Sequence, residues 1–156
     1  QNVDVRNSAG RINFIDNQNY NNGIELNQIN GPESDLPVNF IFSALKPVVL
    51  TGTITGNVRM FFAGDFQFGM GTETVAYNGL TMFMSNGDMK ICGSIWSDKN
   101  NPGGGFLSSD KDITIVESAS FQGQIQCRGN FKTSGLIQFN DSVLKAPGFT
   151  VPKGMK

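Results

Sequence analysis

A short motif recurs three times along the second half of the chain and restricts the fold more than any other feature. The copies are Gly64-Asp65-Phe66-Gln67-Phe68-Gly69, Gly87-Asp88-Met89-Lys90-Ile91-Cys92-Gly93 and Gly129-Asn130-Phe131-Lys132-Thr133-Ser134-Gly135. Each reads Gly, a short carboxylate or amide, an apolar residue, Gln or Lys, a β-former, then a closing Gly. The starts lie about 23 and then about 42 residues apart, the second interval being close to two units of about 21. A period of roughly 20–25 residues is the sequence sign of a stacked architecture.

Each residue type has a reason to be there. Gly before Asp or Asn suits a turn that needs positive φ at one position and a local side-chain hydrogen bond at the next. The apolar/polar alternation that follows is a half-buried strand. Three ordinary β-turns in an all-β domain would use the same residues.

The first two copies share more than the motif. Met60-Phe61-Phe62-Ala63 precedes Gly64, and Met82-Phe83-Met84-Ser85-Asn86 precedes Gly87. Thr72-Glu73-Thr74-Val75-Ala76-Tyr77 between them reads as a third short strand, closed by Asn78-Gly79. Two to three strands per period predict an all-β fold, a parallel β-helix or β-arch stack of short strands. A β-sandwich with strand exchange is the alternative, and a hairpin array would draw on similar residues.

With 156 residues, a single β-rich domain over 1–156 is expected. Nineteen Gly make turns frequent and helices scarce, while thirteen Phe and six Met supply bulk for a narrow core. The net charge of −1 gives no electrostatic case for nucleic acid or an anionic membrane. No apolar run approaches the roughly 18 residues of a membrane helix, so no membrane insertion is expected. The chain begins at Gln1, which reads as a processed secreted protein, with a cleaved viral structural protein as the alternative.

Within the single domain, 1–35 form an Asn-rich stranded segment, 38–140 the β-repeat region and 145–156 a tail. Nine of the first thirty residues are Asn. The alternating stretches Val3-Asp4-Val5, Arg11 to Ile15 and Gly23 to Ile29 read as strands, and stacked Asn side chains can form amide ladders. Gly31-Pro32-Glu33-Ser34-Asp35-Leu36-Pro37 is a linker or tight crossing. The N-terminal part is too short to hold a core and must pack on the rest or on a neighbour. Asp98 to Gly105 reads as a protruding loop. Its triple Gly lacks the Lys-Ser/Thr and helix of a phosphate cradle. The tail from Ala146 to Lys156 is a cap, an arm or disordered.

Histidine is absent, which removes His-dependent triads and His zinc sites. Acids are the remaining catalytic candidates. Asp65 and Asp88 occupy equivalent motif positions and would stack about 5 Å apart, where they repel or share a cation. They form the candidate calcium site, and Asp110 and Asp112 add a second acidic pair. Turn-forming Asp side chains bonded to their own backbone are the stronger reading, so neither a catalytic residue nor a cofactor is assigned. Cys92 and Cys127 could pair, closing a loop of about 35 residues worth roughly 3–4 kcal/mol. Two separate buried thiols fit equally well. Trp96, Tyr77 and Tyr20 are candidates for a sugar platform, and Asn140-Asp141-Ser142 fits a glycosylation acceptor.

The order strand, Gly-Asp or Gly-Asn, strand, Gly over Val58 to Phe139 resembles the short coils of right-handed β-helix surface proteins: bactofilin-like polymers, pilus-associated β-helix modules and phage spikes. The resemblance implies scaffolding, fibre-building or adhesion and assigns no site residue. A coil stack also leaves two open ends with unpaired backbone groups. The expectation is therefore a non-enzymatic protein, extracellular or at the cell surface, that self-assembles by β-edge pairing into a sheath, filament or surface layer. The alternatives are a phage or virus fibre or spike component, in a virion, and a carbohydrate-binding adhesin. The expected partner is the chain itself, with a glycan as a second candidate.

Overall fold

The computed structural model describes residues 2–7, 10–14, 24–32, 37–43, 45–70, 74–75, 80–95, 104–116 and 119–139. The chain opens with β1 (Asn2–Asp4), β2 (Gly10–Phe14) and β3 (Ile24–Asn30). It continues through β4 (Val38–Phe42), β5 (Val48–Thr55), β6 (Val58–Phe62), β7 (Phe66–Phe68) and β8 (Thr74–Val75). Then come β9 (Leu80–Ser85), β10 (Met89–Ile91), β11 (Ser94–Ile95), β12 (Gly104–Ser109) and β13 (Ile113–Ile115). The series ends with β14 (Ser120–Cys127), β15 (Phe131–Thr133) and β16 (Leu136–Phe139). Among the described residues no helix is long and apolar enough to cross a membrane.

These strands form two sheets, in the orders β1-β3-β5-β7-β10-β13-β15 and β2-β4-β6-β9-β12-β14-β11-β8, with β16 beside β14. Every described pairing is parallel. A hairpin array would be antiparallel, so that reading does not hold. Parallel neighbours require the chain to travel away and return one layer further on, which accounts for the long sequence interval between partners. β14 serves two rows. Its start pairs with β11 and β16, as in Ile95↔Phe121 and Ser120↔Leu136, while its end pairs with β12, as in Ser109↔Cys127.

The strand period of two sends alternate residues into the space between the sheets. In one sheet Phe40, Met60, Phe83 and Leu107 stack in register; in the other Val48, Phe66, Met89 and Ile113 do, with Leu50, Phe68, Ile91 and Ile115 in the next column. All twelve are buried. The bulky rings meet across the narrow gap: Phe62 and Phe66 stack at 4.0 Å between centroids and Phe66 and Phe83 tilt at 4.8 Å. Burying each such side chain stabilises by about 1.5–3 kcal/mol.

The N-terminal portion belongs to the same sheets. β1 pairs with β3, β3 with β5 and β2 with β4. Its Asn residues do not form an Asn–Asn ladder among the described residues. Asn27 Nδ2 donates to Thr51 Oγ1 (3.2 Å), and Thr55 Oγ1 donates to Asn30 Oδ1 (3.4 Å). Gly31 and Pro32 form a buried crossing rather than a linker. Gly31 N–H donates to the Thr55 carbonyl and Asn57 N–H to the Pro32 carbonyl, both at 2.7 Å. Gly104 and Gly105, expected in a loop, open β12. The third strand expected over Thr72 to Tyr77 is the short β8. Between Leu26 and Gln28 the register slips against β5, and a Cβ at Gly52 would collide with the Asn27 carbonyl, so glycine is what the bulge requires.

Candidate functional site

The recurring motif builds a ladder of side chains at one corner of the stack. Asp65 Oδ1 accepts a hydrogen bond from Asp88 N–H at 2.8 Å, Asp88 Oδ1 from Asp112 N–H at 3.1 Å, and Asp112 Oδ1 from Asn130 N–H at 2.7 Å. The sequence separations are 23, 24 and 18. The carboxylates thus bond the backbone of the following layer, not their own as the turn chemistry predicts. Amide hydrogens between them offset the repulsion expected of stacked like charges, and charge-assisted bonds of this kind are the stronger sort.

Lys111-Asp112-Ile113-Thr114-Ile115 is therefore a fourth copy of the motif, in the long interval between the second and third. A Lys stands where the others have Gly, which is why the repeat is hard to see. The alternation after Asp112 and its distance from Asp88 were the available signals. The ladder starts at Asp65 because the residue one layer earlier is Pro47, which has neither an N–H nor a side-chain acceptor.

The glycines that open the motif are there for close approach, not for positive φ, whereas Gly69, which closes the first copy, does adopt positive φ. Positive φ occurs at Gly10, Gly56, Gly69 and Gly123, and not at Gly64, Gly87 or Gly129. A Cβ on Gly87 would run into Asp65 Oδ1 and stand 2.8 Å from Asp65 N. The glycine leaves room for the carboxylate that reaches over from the layer before.

A second, buried ladder supports this corner from inside. Ser85 Oγ donates to the Gly64 carbonyl (2.6 Å) and accepts from Gly87 N–H (2.9 Å). Ser109 Oγ donates to the Gly87 carbonyl (2.6 Å) and accepts from Lys111 N–H (2.9 Å). Each hydroxyl satisfies one carbonyl of the preceding layer and one amide of its own. These serines continue the inner column of Phe42 and Phe62, and the column ends at Cys127. Nothing in the strand alternation distinguishes them beforehand.

Asp65 and Asp88 also line a groove of about 260 Å³ with Gln67, Lys90, Pro47 and Val49. Among the described residues no three acidic or thiol side chains converge as metal ligands. Asp110 faces Arg128 in an exposed ion pair (3.5 Å) and is not brought onto the ladder with Asp112. Cys92 and Cys127 are both free thiols, the first buried and the second half-buried. Cys92 follows β10 and Cys127 ends β14, in different sheets. Tyr20, Tyr77, Trp96, the Asn140-Asp141-Ser142 acceptor and the tail lie outside the described residues.

Among the described residues no further strand pairs onto the last layer. β15 pairs only with β13, and β16 only with β14, among the described strands. The column that buries Phe66, Met89 and Ile113 ends at Phe131, which is 36% exposed; Leu136 on β16, paired with the half-buried Ser120 in the other sheet, is 62% exposed. No family model matches the chain, and neither a curated protein nor a solved structure matches it.

Proposed function

We propose that the layers are successive turns of a parallel β-helix, and that the chain is a non-enzymatic structural protein that joins copies of itself by β-edge pairing in an extracellular sheath, filament or surface layer. The observation that carries this is the last described layer, onto which no further described strand pairs. Among the described strands β15 and β16 each have one unpaired backbone edge; Phe131 stands exposed at the end of a row whose earlier members are buried, and Leu136 stands exposed on β16. Free strand edges are templates for further pairing, and proteins that stay monomeric blunt them with charge, proline or a covering element. Covering Phe131 and Leu136 adds at most about 1.5–3 kcal/mol for each side chain. Edge hydrogen bonds supply direction and register. Asn130, the last rung of the ladder, carries a side-chain oxygen of the kind that accepts the next layer's N–H at each earlier rung.

Sedimentation velocity from low to high micromolar concentration, with electron microscopy of the same samples, tests this. Concentration-dependent growth into fibres, sheets or tubes is expected. Leu136→Lys and Phe131→Lys should each shift growth to higher concentration without loss of the β-sheet circular dichroism signal. A monomer throughout, or growth indifferent to both substitutions, removes the support.

A further inference from the structure

One row of strands reaches both ends of the stack. It runs from β1 through the second halves of β3 and β5, then through β8, β11 and the start of β14 to β16. β8 packs against β5, which joins the two halves of the row. Among the described strands β1 pairs only with β3, and β16 only with β14, so each has one unpaired backbone edge. The inward side chains of the row are Val3, Ile29, Ile54, Ile95, Phe121 and Ile137, in register within each half. The four interior members are fully buried. Val3 and Ile137, at the two ends, pack on the core but are only half-buried, each lacking a described layer on one side. Neither edge carries the unpaired charge that holds strand edges apart. Asp4, the one charged residue of β1, is neutralised by Arg6 of its own chain at 2.7 Å, and β16 reads Leu-Ile-Gln-Phe. Every described pairing is parallel, so the two ends are different surfaces. Two last layers face to face would set β16 antiparallel to its copy, whereas a last layer on a first layer keeps the ladder parallel and continues the row.

We infer that copies of the chain join head to tail: β16 of one copy pairs in parallel with β1 of the next, and Ile137 packs beneath Val3. The inference rests on the edge-pairing reading and adds which two surfaces meet. A contact between unlike surfaces does not close on itself as a twofold contact does, so it propagates into an open fibre with a direction. Of the sheath, the filament and the surface layer, this joint selects the filament.

Sedimentation velocity of two end-blocked variants is the test. Val3→Lys blocks the first layer and Ile137→Lys the last. Each alone should stay monomeric where the unsubstituted chain grows, with the onset of association raised about tenfold or more. Mixed in equal amounts, the two should form a dimer and stop there. One unblocked last layer then meets one unblocked first layer, and both outer ends are blocked. Circular dichroism and the melting temperature establish that each variant folds. If a lysine variant does not, Val3→Thr and Ile137→Thr replace the pair, since threonine keeps the β-branch that suits a strand, and the same pattern is read. Dimerisation of either variant alone, through two like ends, overturns the inference and leaves edge assembly standing. So does a mixture that stays monomeric while the unsubstituted chain grows. An unsubstituted chain that is monomeric at every concentration removes edge assembly itself, and this joint with it.

Discussion

Ser109→Ala is the sharpest probe of how the layers are held in register. Ser109 is 3% exposed, and its hydroxyl serves two backbone groups in different layers, the Gly87 carbonyl at 2.6 Å and Lys111 N–H at 2.9 Å. Alanine removes both bonds and supplies no replacement. A buried polar group left unpaired costs about 1–3 kcal/mol. Lys111 lies at the surface, so water recovers part of its amide's loss. The expected total is about 2–4 kcal/mol. For a chain of this size each kcal/mol lowers the melting temperature by about 2–4 °C, so a fall of roughly 4–16 °C is predicted. Cys127→Ala is the matched control one layer on. That thiol donates only to the Gly129 carbonyl of its own turn, at 3.6 Å, and its removal should cost under about 1 kcal/mol. Thermal melts followed by circular dichroism compare the two. Ser109→Cys should recover less than half of the loss, since sulfur is a weak donor and acceptor. If Ser109→Ala and Cys127→Ala shift the midpoint equally, the interlayer serine ladder is not a source of stability and the reasoning fails.

Other predictions concern the motif and the termini of the stack. Gly87→Ala should destabilise by about 1–3 kcal/mol in urea unfolding, because its Cβ displaces Asp65 and overpacks the corner; Gly87 has no positive φ, so relief by Asp65→Ala in the double variant would assign the loss to the carboxylate. The bidentate side-chain bond from Arg6, then Arg6 N–H, hold the Asp4 carboxyl below its ordinary 3.8. A depressed carboxyl contributes stability above its unfolded pKa and loses it as pH falls through the folded one. Carboxyl NMR should place the Asp4 midpoint below 3.8, and Arg6→Ala should move it back up. A thiol reagent under native conditions should modify one cysteine quickly, Cys127, with Cys92 reacting only on denaturation. Equal reactivity of the two would contradict their placement.

The sequence alone determined that this chain is built of short strands and where most of its corners fall. Both follow from local chemistry: the period-two alternation around Phe66, Met89 and Phe131, and the Gly-Asp and Gly-Asn pairs that break it. The fourth motif copy at Lys111 to Ile115 and the serine ladder were decided by tertiary structure, which also selected the expected parallel pairing over the hairpin array that the same residues allow. A rung is defined by what lies one layer away, through a backbone N–H that every non-proline residue carries, so Lys111 can stand where Gly87 and Gly129 do. The intervals of 23, 24 and 18 between rungs vary because segments between strands may differ in length while the stacked residues keep register. Arg59 shows the same division. Its position in an alternating strand reads as an ordinary solvated face, and only the packing around it takes its Nε and Nη2 out of water and leaves them unpaired.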